Sequence, residues 1–117
     1  MTSTTPFSPL PGTLDLLVLK AVSLGAEHGY GVLQRIQRAS RGALAIEQGA
    51  LYPALFRLET QGLIESEWGV SDNNRKAKFY TLTRAGKARL AKDLGEWNGL
   101  VEAMAAVLNA TRSEVLA

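Results

Sequence analysis

Between Arg75 and Lys92 the chain carries seven cations and no acid: Arg75, Lys76, Lys78, Arg84, Lys87, Arg89 and Lys92. They are more than half of the thirteen in a protein whose formal net charge is only +2, so the positive charge is gathered rather than spread. A basic block beside a near-neutral remainder suits contact with a polyanion through one face, although a solvated basic surface would use the same residues. Upstream, Leu51, Ala54, Leu55 and Leu58 recur at i, i+3, i+4 and i+7, the apolar stripe of a helix. Its other face offers Gln48, Gly49, Tyr52, Pro53 and Arg57. Glutamine is a natural bidentate partner for an adenine edge in the major groove. Tyr52 can give its hydroxyl to a phosphate or its ring to the core, and both roles stay open. Glu47, in the first turn, suits the helix dipole but is a poor neighbour for phosphate.

Other chemistries lack their residues. Zero cysteines and a single histidine, His28, exclude disulfides and thiolate sites and leave no ligand set beyond scattered carboxylates, so no metal site and no cofactor is expected. His28 sits in a glycine-flanked turn beside no obvious nucleophile, and no phosphate-binding glycine loop is present, which argues against an enzyme; capping or bridging a helix end is the expected role of His28. No apolar run approaches a membrane span, and residues 1–12 lack the order of a signal peptide. A cytoplasmic protein is expected.

At 117 residues the chain predicts one domain, with room for a partner subunit to contribute stability. Residues 1–12, with three of the four prolines, read as an arm that can pack through Phe7 and Leu10. A first helix is predicted from about Thr13, whose hydroxyl can cap it, to Leu24, with Gly25 as its stop and Leu14, Leu17, Val18, Ala21 and Leu24 buried. A second runs from about Tyr30 to Arg41, burying Val32, Leu33 and Ile36 and ending at Gly42. Arg35, Arg38 and Arg41 then line one side of it, reaching phosphates or simply solvated. The third helix is the striped one, closed by Gly62. Residues 63–70 and 78–82 read as strands. The segment between them, from Ser71 to Lys76, is a hairpin tip with a basic edge, since Asn and Asp accept the left-handed conformations that a tip needs.

Thr83 can cap a long terminal helix reaching roughly Asn109. Along it Leu90, Leu94, Trp97, Val101, Met104 and Leu108 alternate steps of four and three, the pattern of a coiled-coil seam, and Leu100 and Val107 widen it. Only the first turns of so long a helix can reach their own core, so the remaining stripe predicts a homodimer; folding back onto its own domain is the alternative. Gly95 and Gly99 cost about 1 kcal/mol each against alanine inside a helix, which makes sense if backbones approach closely there or the helix bends. The expected architecture is mainly α with a small β-hairpin: a winged helix-turn-helix over residues 13–83 and a dimerisation helix over 84–117.

Several motifs add to this order. His28-Gly29-Tyr30-Gly31, then Gly49-Ala50-Leu51-Tyr52-Pro53-Ala54-Leu55-Phe56-Arg57-Leu58-Glu59 with Gly62-Leu63-Ile64, then Tyr80-Thr81-Leu82-Thr83 followed by Gly86, resemble the PadR family of transcriptional regulators, in its short branch with one terminal helix. The likeness covers about residues 13–109. It implies a homodimeric winged-helix repressor, with the third helix of each subunit in successive major grooves of a palindromic DNA operator and the wings on flanking backbone or minor groove. The terminal helices would form the dimer interface. The matching residues are Gln48, Gly49 and Tyr52 on the helix and Arg75, Lys76 and Lys78 on the wing, with Arg35 and Arg38 as further phosphate candidates. Ser71-Asp72-Asn73-Asn74 replaces the shorter Gly- and Pro-containing wing tip common in the family, which favours backbone contact over minor-groove insertion. Trp97, central in the seam, is the candidate for stacking on a small aromatic effector, as happens in some relatives, or is an ordinary knob against its symmetry mate. A winged-helix module that binds an acidic protein through its basic edge is the rival reading, and a monomer in solution would favour it.

Overall fold

The computed structural model describes residues 12–116; the expected arm, with Phe7 and Leu10, lies outside the described residues up to Gly12. The chain forms α1 (Leu14–Ser23), β1 (Glu27–His28), α2 (Gly29–Ala39), α3 (Gln48–Thr60), β2 (Ile64–Val70), β3 (Lys76–Leu82), α4 (Arg84–Leu108) and α5 (Arg112–Val115). It is mainly helical, with a small antiparallel sheet in the order β1-β3-β2 and a long C-terminal helix, as the apolar periodicities predict. The two-residue β1, which pairs Glu27 with Tyr80 and His28 with Phe79, is too short for any alternation to announce it.

α3 buries the four residues that its stripe names, Leu51, Ala54, Leu55 and Leu58, each at 1% exposure or less. They meet Val32, Leu33 and Ile36 of α2, with Ile64 and Tyr80 from the sheet in the same cluster. α3 then stops in a Schellman arrangement: Gly62 adopts φ +74, its N–H donates to the Glu59 carbonyl at 3.0 Å, and the Leu63 N–H donates to Leu58 at 2.9 Å. Only glycine takes that conformation without a Cβ penalty.

The first two helices differ in detail from expectation. α1 buries Val18, Leu19, Ala21 and Val22, Leu14 and Leu17 pack partly on the core, and Leu24 is 62% exposed. Wedged against α2, α3, α4 and β3, α1 is apolar over more than one face, so no single stripe could choose its buried side. Thr13 stands at its N-cap without a side-chain cap hydrogen bond. α2 ends at Ala39, and Arg41 lies beyond it at φ +54. There Arg41 takes the left-handed position: its N–H donates to Arg38, and the following Gly42 N–H donates to Gln37 at 2.8 Å. Arg35, Arg38 and Arg41 therefore do not share one helix side.

β2 and β3 pair in continuous register from Ile64 opposite Leu82 to Val70 opposite Lys76. Their tip is closed by the Asn74 N–H donating to the Ser71 carbonyl at 2.8 Å, with Asn74 at φ +59, the role expected of asparagine there. β3 leads into α4 through Thr83, whose hydroxyl accepts from the Gly86 N–H at 3.0 Å and donates to the Gly62 carbonyl at 2.6 Å. α4 leaves the core within a few turns. The Cα radius of gyration is 17.3 Å, against roughly 13 Å for a compact chain of this length. The terminal region is not one helix to its end, because α4 stops at Leu108 and the short α5 follows. No helix among the described residues is long and apolar enough to cross a membrane.

The α4 glycines differ in what they permit. A Cβ on Gly86 would lie 1.9 Å from the Leu63 carbonyl oxygen and 2.9 Å from Leu82 Cδ2, whereas Gly95 and Gly99 have nothing within 4 Å. Gly86→Ala should therefore cost about 3 kcal/mol in urea unfolding, while Gly99→Ala should add about 1 kcal/mol through helix propensity. Equal effects at the two positions would contradict this account.

Candidate nucleic-acid interface

With its apolar stripe turned into the core, α3 presents Gln48, Gly49, Tyr52, Pro53, Phe56 and Thr60 outward, all exposed. Pro53 brings no N–H for the carbonyl of Gly49, one turn earlier on this face. Tyr52 is half-exposed, and its ring lies on the backbone of Gly29, where a Cβ would come within 2.6 Å of Cε1. It is neither a core tyrosine nor a free one. Arg57 is drawn away from the face by Asp15 of α1, Nη2 to Oδ1 at 2.8 Å, and it is the only cation that α3 contains.

The wing stands beside this helix. Lys76 and Lys78 alternate with Ala77 and so share one face of β3, and Trp68, directly opposite Lys78, shares it with them. The two ammonium groups sit over the indole at 5.2 and 5.9 Å from the ring centroid, a cation–π arrangement that holds both lysines over one exposed plate. Glu59, in the last turn of α3, takes hold of both strands. Its Oε2 accepts from the Ser66 hydroxyl at 2.5 Å, and its Oε1 lies 3.9 Å from Lys78 Nζ. Tyr80, next on the same face, is buried at the wing base. Burial raises its phenol above the ordinary value of 10.0, with Glu59 and Tyr52 adding to the shift, so the hydroxyl stays protonated at neutral pH.

Between wing and helices runs an open cleft of about 730 Å³ whose walls include Tyr30, Gln34, Tyr52, Arg75, Lys76 and Lys78. Of the expected α3 residues only Tyr52 shares this space with the wing cations, and Gln48 and Gly49 lie outside it. Arg38 lies one turn beyond Gln34 on α2 and is exposed on the same ridge.

Arg35, expected as a phosphate candidate, is engaged within the fold instead. Its Nη1 donates to the carbonyls of Ala21 at 2.9 Å and Gly25 at 2.6 Å, and its Nη2 lies 3.4 Å from Glu27. A guanidinium so engaged closes the end of α1 onto α2, satisfying carbonyls that a helix terminus leaves open. Beside it, His28 caps α2 by accepting the Gly31 N–H on Nδ1 at 3.0 Å. The basic block also divides: Arg75, Lys76 and Lys78 belong to the wing, while on α4 Arg89 pairs with Asp93 at 3.0 Å and Lys92 lies 4.0 Å from Glu96.

Along α4, Leu90, the first residue of the expected seam, packs partly on its own core. Leu94, Trp97, Val101, Met104 and Leu108 are exposed, together with Leu100 and Val107. At 100° per residue, Gly95 and Gly99 lie roughly 140° and 180° around the helix from the mean direction of Leu94, Trp97, Val101, Met104 and Leu108, so close backbone approach along that stripe does not account for them.

Phe56, 71% exposed, the cleft residues Tyr30 and Gln34, and Trp68 beneath the wing lysines are absent from the sequence-derived site. Phe56 was legible, because it falls opposite the stripe on the helical wheel; an aromatic in an apolar-looking run passes for core. Trp68 carried no such signal, since its neighbours are set by strand register. Among the described residues no group of three or more His, Asp and Glu gathers as a metal set.

Comparison with known proteins agrees with this geometry. The transcriptional regulator PadR-like family matches residues 18–92. An uncharacterized protein of Lysinibacillus sphaericus is 31% identical over 86 residues, spanning 74% of this chain and 79% of that protein. A transcriptional regulator of Mycobacterium tuberculosis is 44% identical over 66 residues, spanning 56% of this chain and 58% of that one. The crystal structure of a PadR family transcriptional regulator from Eggerthella lenta superposes with a TM-score of 0.72 at 32% identity, covering 86% of this chain and 85% of the other. With a winged helix in place and the family pattern running from α1 into α4, this chain belongs to the PadR-like family of transcriptional regulators.

Proposed function

We propose that this DNA-binding regulator acts as a homodimeric repressor that sets its two α3 helices in successive major grooves of a palindromic operator, with the wings on the flanking backbone. The observation that carries the reading is the shared cleft, in which Tyr52 of α3 faces Arg75, Lys76 and Lys78 of the wing. A helix seated in the groove then brings the wing lysines alongside phosphate. The uncovered stripe from Leu94 to Leu108 supports the dimer, because exposed leucine, valine, methionine and tryptophan on one projecting helix find their burial most simply against the same helix of a second subunit. Two half-sites about 34 Å apart would match the two subunits.

The test is fluorescence-anisotropy titration of duplexes from the protein's own promoter region, at several salt concentrations, on material sized by light scattering. A particle of twice 12.6 kDa that binds one palindromic duplex at least ~10³-fold tighter than random DNA is expected. A monomer with weak, equal binding to every duplex would overturn the reading in favour of a module for an acidic protein partner.

The wing lysines and their indole plate should separate in the same titration. Lys76→Ala should reduce the slope of log K against log salt by about one unit, because one phosphate contact is lost. Trp68→Ala should weaken binding about threefold at every salt concentration with the slope unchanged, because the charges remain while their placement is lost. A slope change in Trp68→Ala would refute the positioning role.

Trp97, midway along the stripe and 37% exposed, is the proposed seat of a small flat aromatic effector. In a Trp68→Phe background its fluorescence should be quenched by a planar aromatic dye, with a matching change in duplex affinity. Quenching without that change would leave Trp97 as an ordinary packing residue of the dimer.

A further inference from the structure

The outward face of α3 has an unusual chemistry for a DNA-reading helix. Its one guanidinium, Arg57, is committed to Asp15 at 2.8 Å, so no cation on α3 is left to take the O6 and N7 acceptors of guanine. In the middle of the face stands a bare phenyl ring, Phe56, 71% exposed and one turn beyond the half-exposed Tyr52. The apolar surface of an exposed phenylalanine becomes stabilising only when something apolar covers it. The only apolar group on the floor of the major groove is the 5-methyl of thymine, and phenylalanine is among the side chains that contact it.

We propose that Phe56 is a specificity-determining residue that seats on a thymine 5-methyl in each half-site. The inference rests on the DNA-binding reading above and deepens it by naming a base. Gln48 and Phe56 are eight residues apart in the sequence, about 12 Å along the helix axis. That spans three to four base-pair steps of roughly 3.4 Å. With the helix lying along the groove, the thymine read by Phe56 is therefore separated by about that distance from the adenine read by Gln48. Specificity at the thymine comes from burying the methyl rather than from a hydrogen bond, so it is insensitive to salt, in contrast to the contribution of the wing.

The test uses the full chain and a pool of duplexes with a randomised core, selected for tight binding. In the enriched duplex each thymine is replaced singly by deoxyuridine, which removes the methyl and leaves pairing intact. The wild-type protein is expected to lose about fourfold in affinity at one thymine per half-site, the value of one buried methyl. Phe56→Ala should bind the thymine and deoxyuridine duplexes equally, Phe56→Leu should recover part of the discrimination, and the salt slope should stay that of wild type in both. Since Phe56 is exposed, the variants should keep the wild-type circular dichroism and melting behaviour. A wild-type protein indifferent to every methyl, or a Phe56→Ala variant that keeps the discrimination, would overturn the proposal and free Phe56 as a protein contact. Failure of the pool to enrich any sequence would overturn the sequence-specific reading itself, and this inference with it.

Discussion

The arrangement of the molecule hangs on one small junction around Thr83. Its hydroxyl donates to the Gly62 carbonyl and accepts from the Gly86 N–H, while its own N–H donates to Leu63 at 3.1 Å and the Leu63 N–H closes back onto Leu58. The last turn of α3, the base of the wing and the first turn of α4 therefore share one set of hydrogen bonds. Gly86 makes this possible by letting the Leu63 carbonyl come where a Cβ would stand. Few bonds are involved, but each satisfies a backbone group that a helix end would otherwise leave open. A rigid joint at this point means that the direction in which α4 leaves the core and the place where α3 is presented are set together. In the proposed dimer, where α4 pairs with its mate, a change in helix crossing would reach the reading helices through this joint.

Charges around α3 and the wing are sorted by engagement rather than by sequence. Arg35 and Arg57 are spent on carbonyls and on Asp15. Lys76 and Lys78 are held over Trp68, a plate that orients positive charge without neutralising it. Glu59 takes part in the same neighbourhood, gripping Ser66 and standing near Lys78. The carboxylate has a structural use there, tying the end of α3 to both strands of the wing, and so fixes the angle between the two parts that would meet DNA. The result is an uncharged, partly aromatic outward face on α3 with a cationic wing beside it.

Much of this was legible in the residues. Leu51, Ala54, Leu55 and Leu58 name their own face because a helix one side of which is buried must repeat near 3.6 residues. Gly62 and Thr83 mark ends because few residue types meet the backbone demands of those positions. The exposed stripe of α4 was visible for the same reason as the stripe of α3, as was the capping role of His28. α1 misled because a helix packed on several sides carries no single periodicity, so Leu24 looked like core and is exposed. Arg35 misled because arginines spaced along a helix look alike until their partners are known, and the carbonyls of Ala21 and Gly25 belong to α1 and the turn that follows it.

What the amino-acid sequence determined alone was local and periodic: the helices, their stops, the hairpin, the gathering of cations and the family pattern. What only the tertiary structure decided was which groups meet. It engaged Arg35 with backbone carbonyls and Arg57 with Asp15, placed Trp68 beneath two lysines, and packed Leu90 partly against its own core. It also turned Phe56 outward and left it uncovered. Each of these depends on a partner distant in the chain, and the energy of such a contact is set by distance and burial, which no spacing along the sequence expresses.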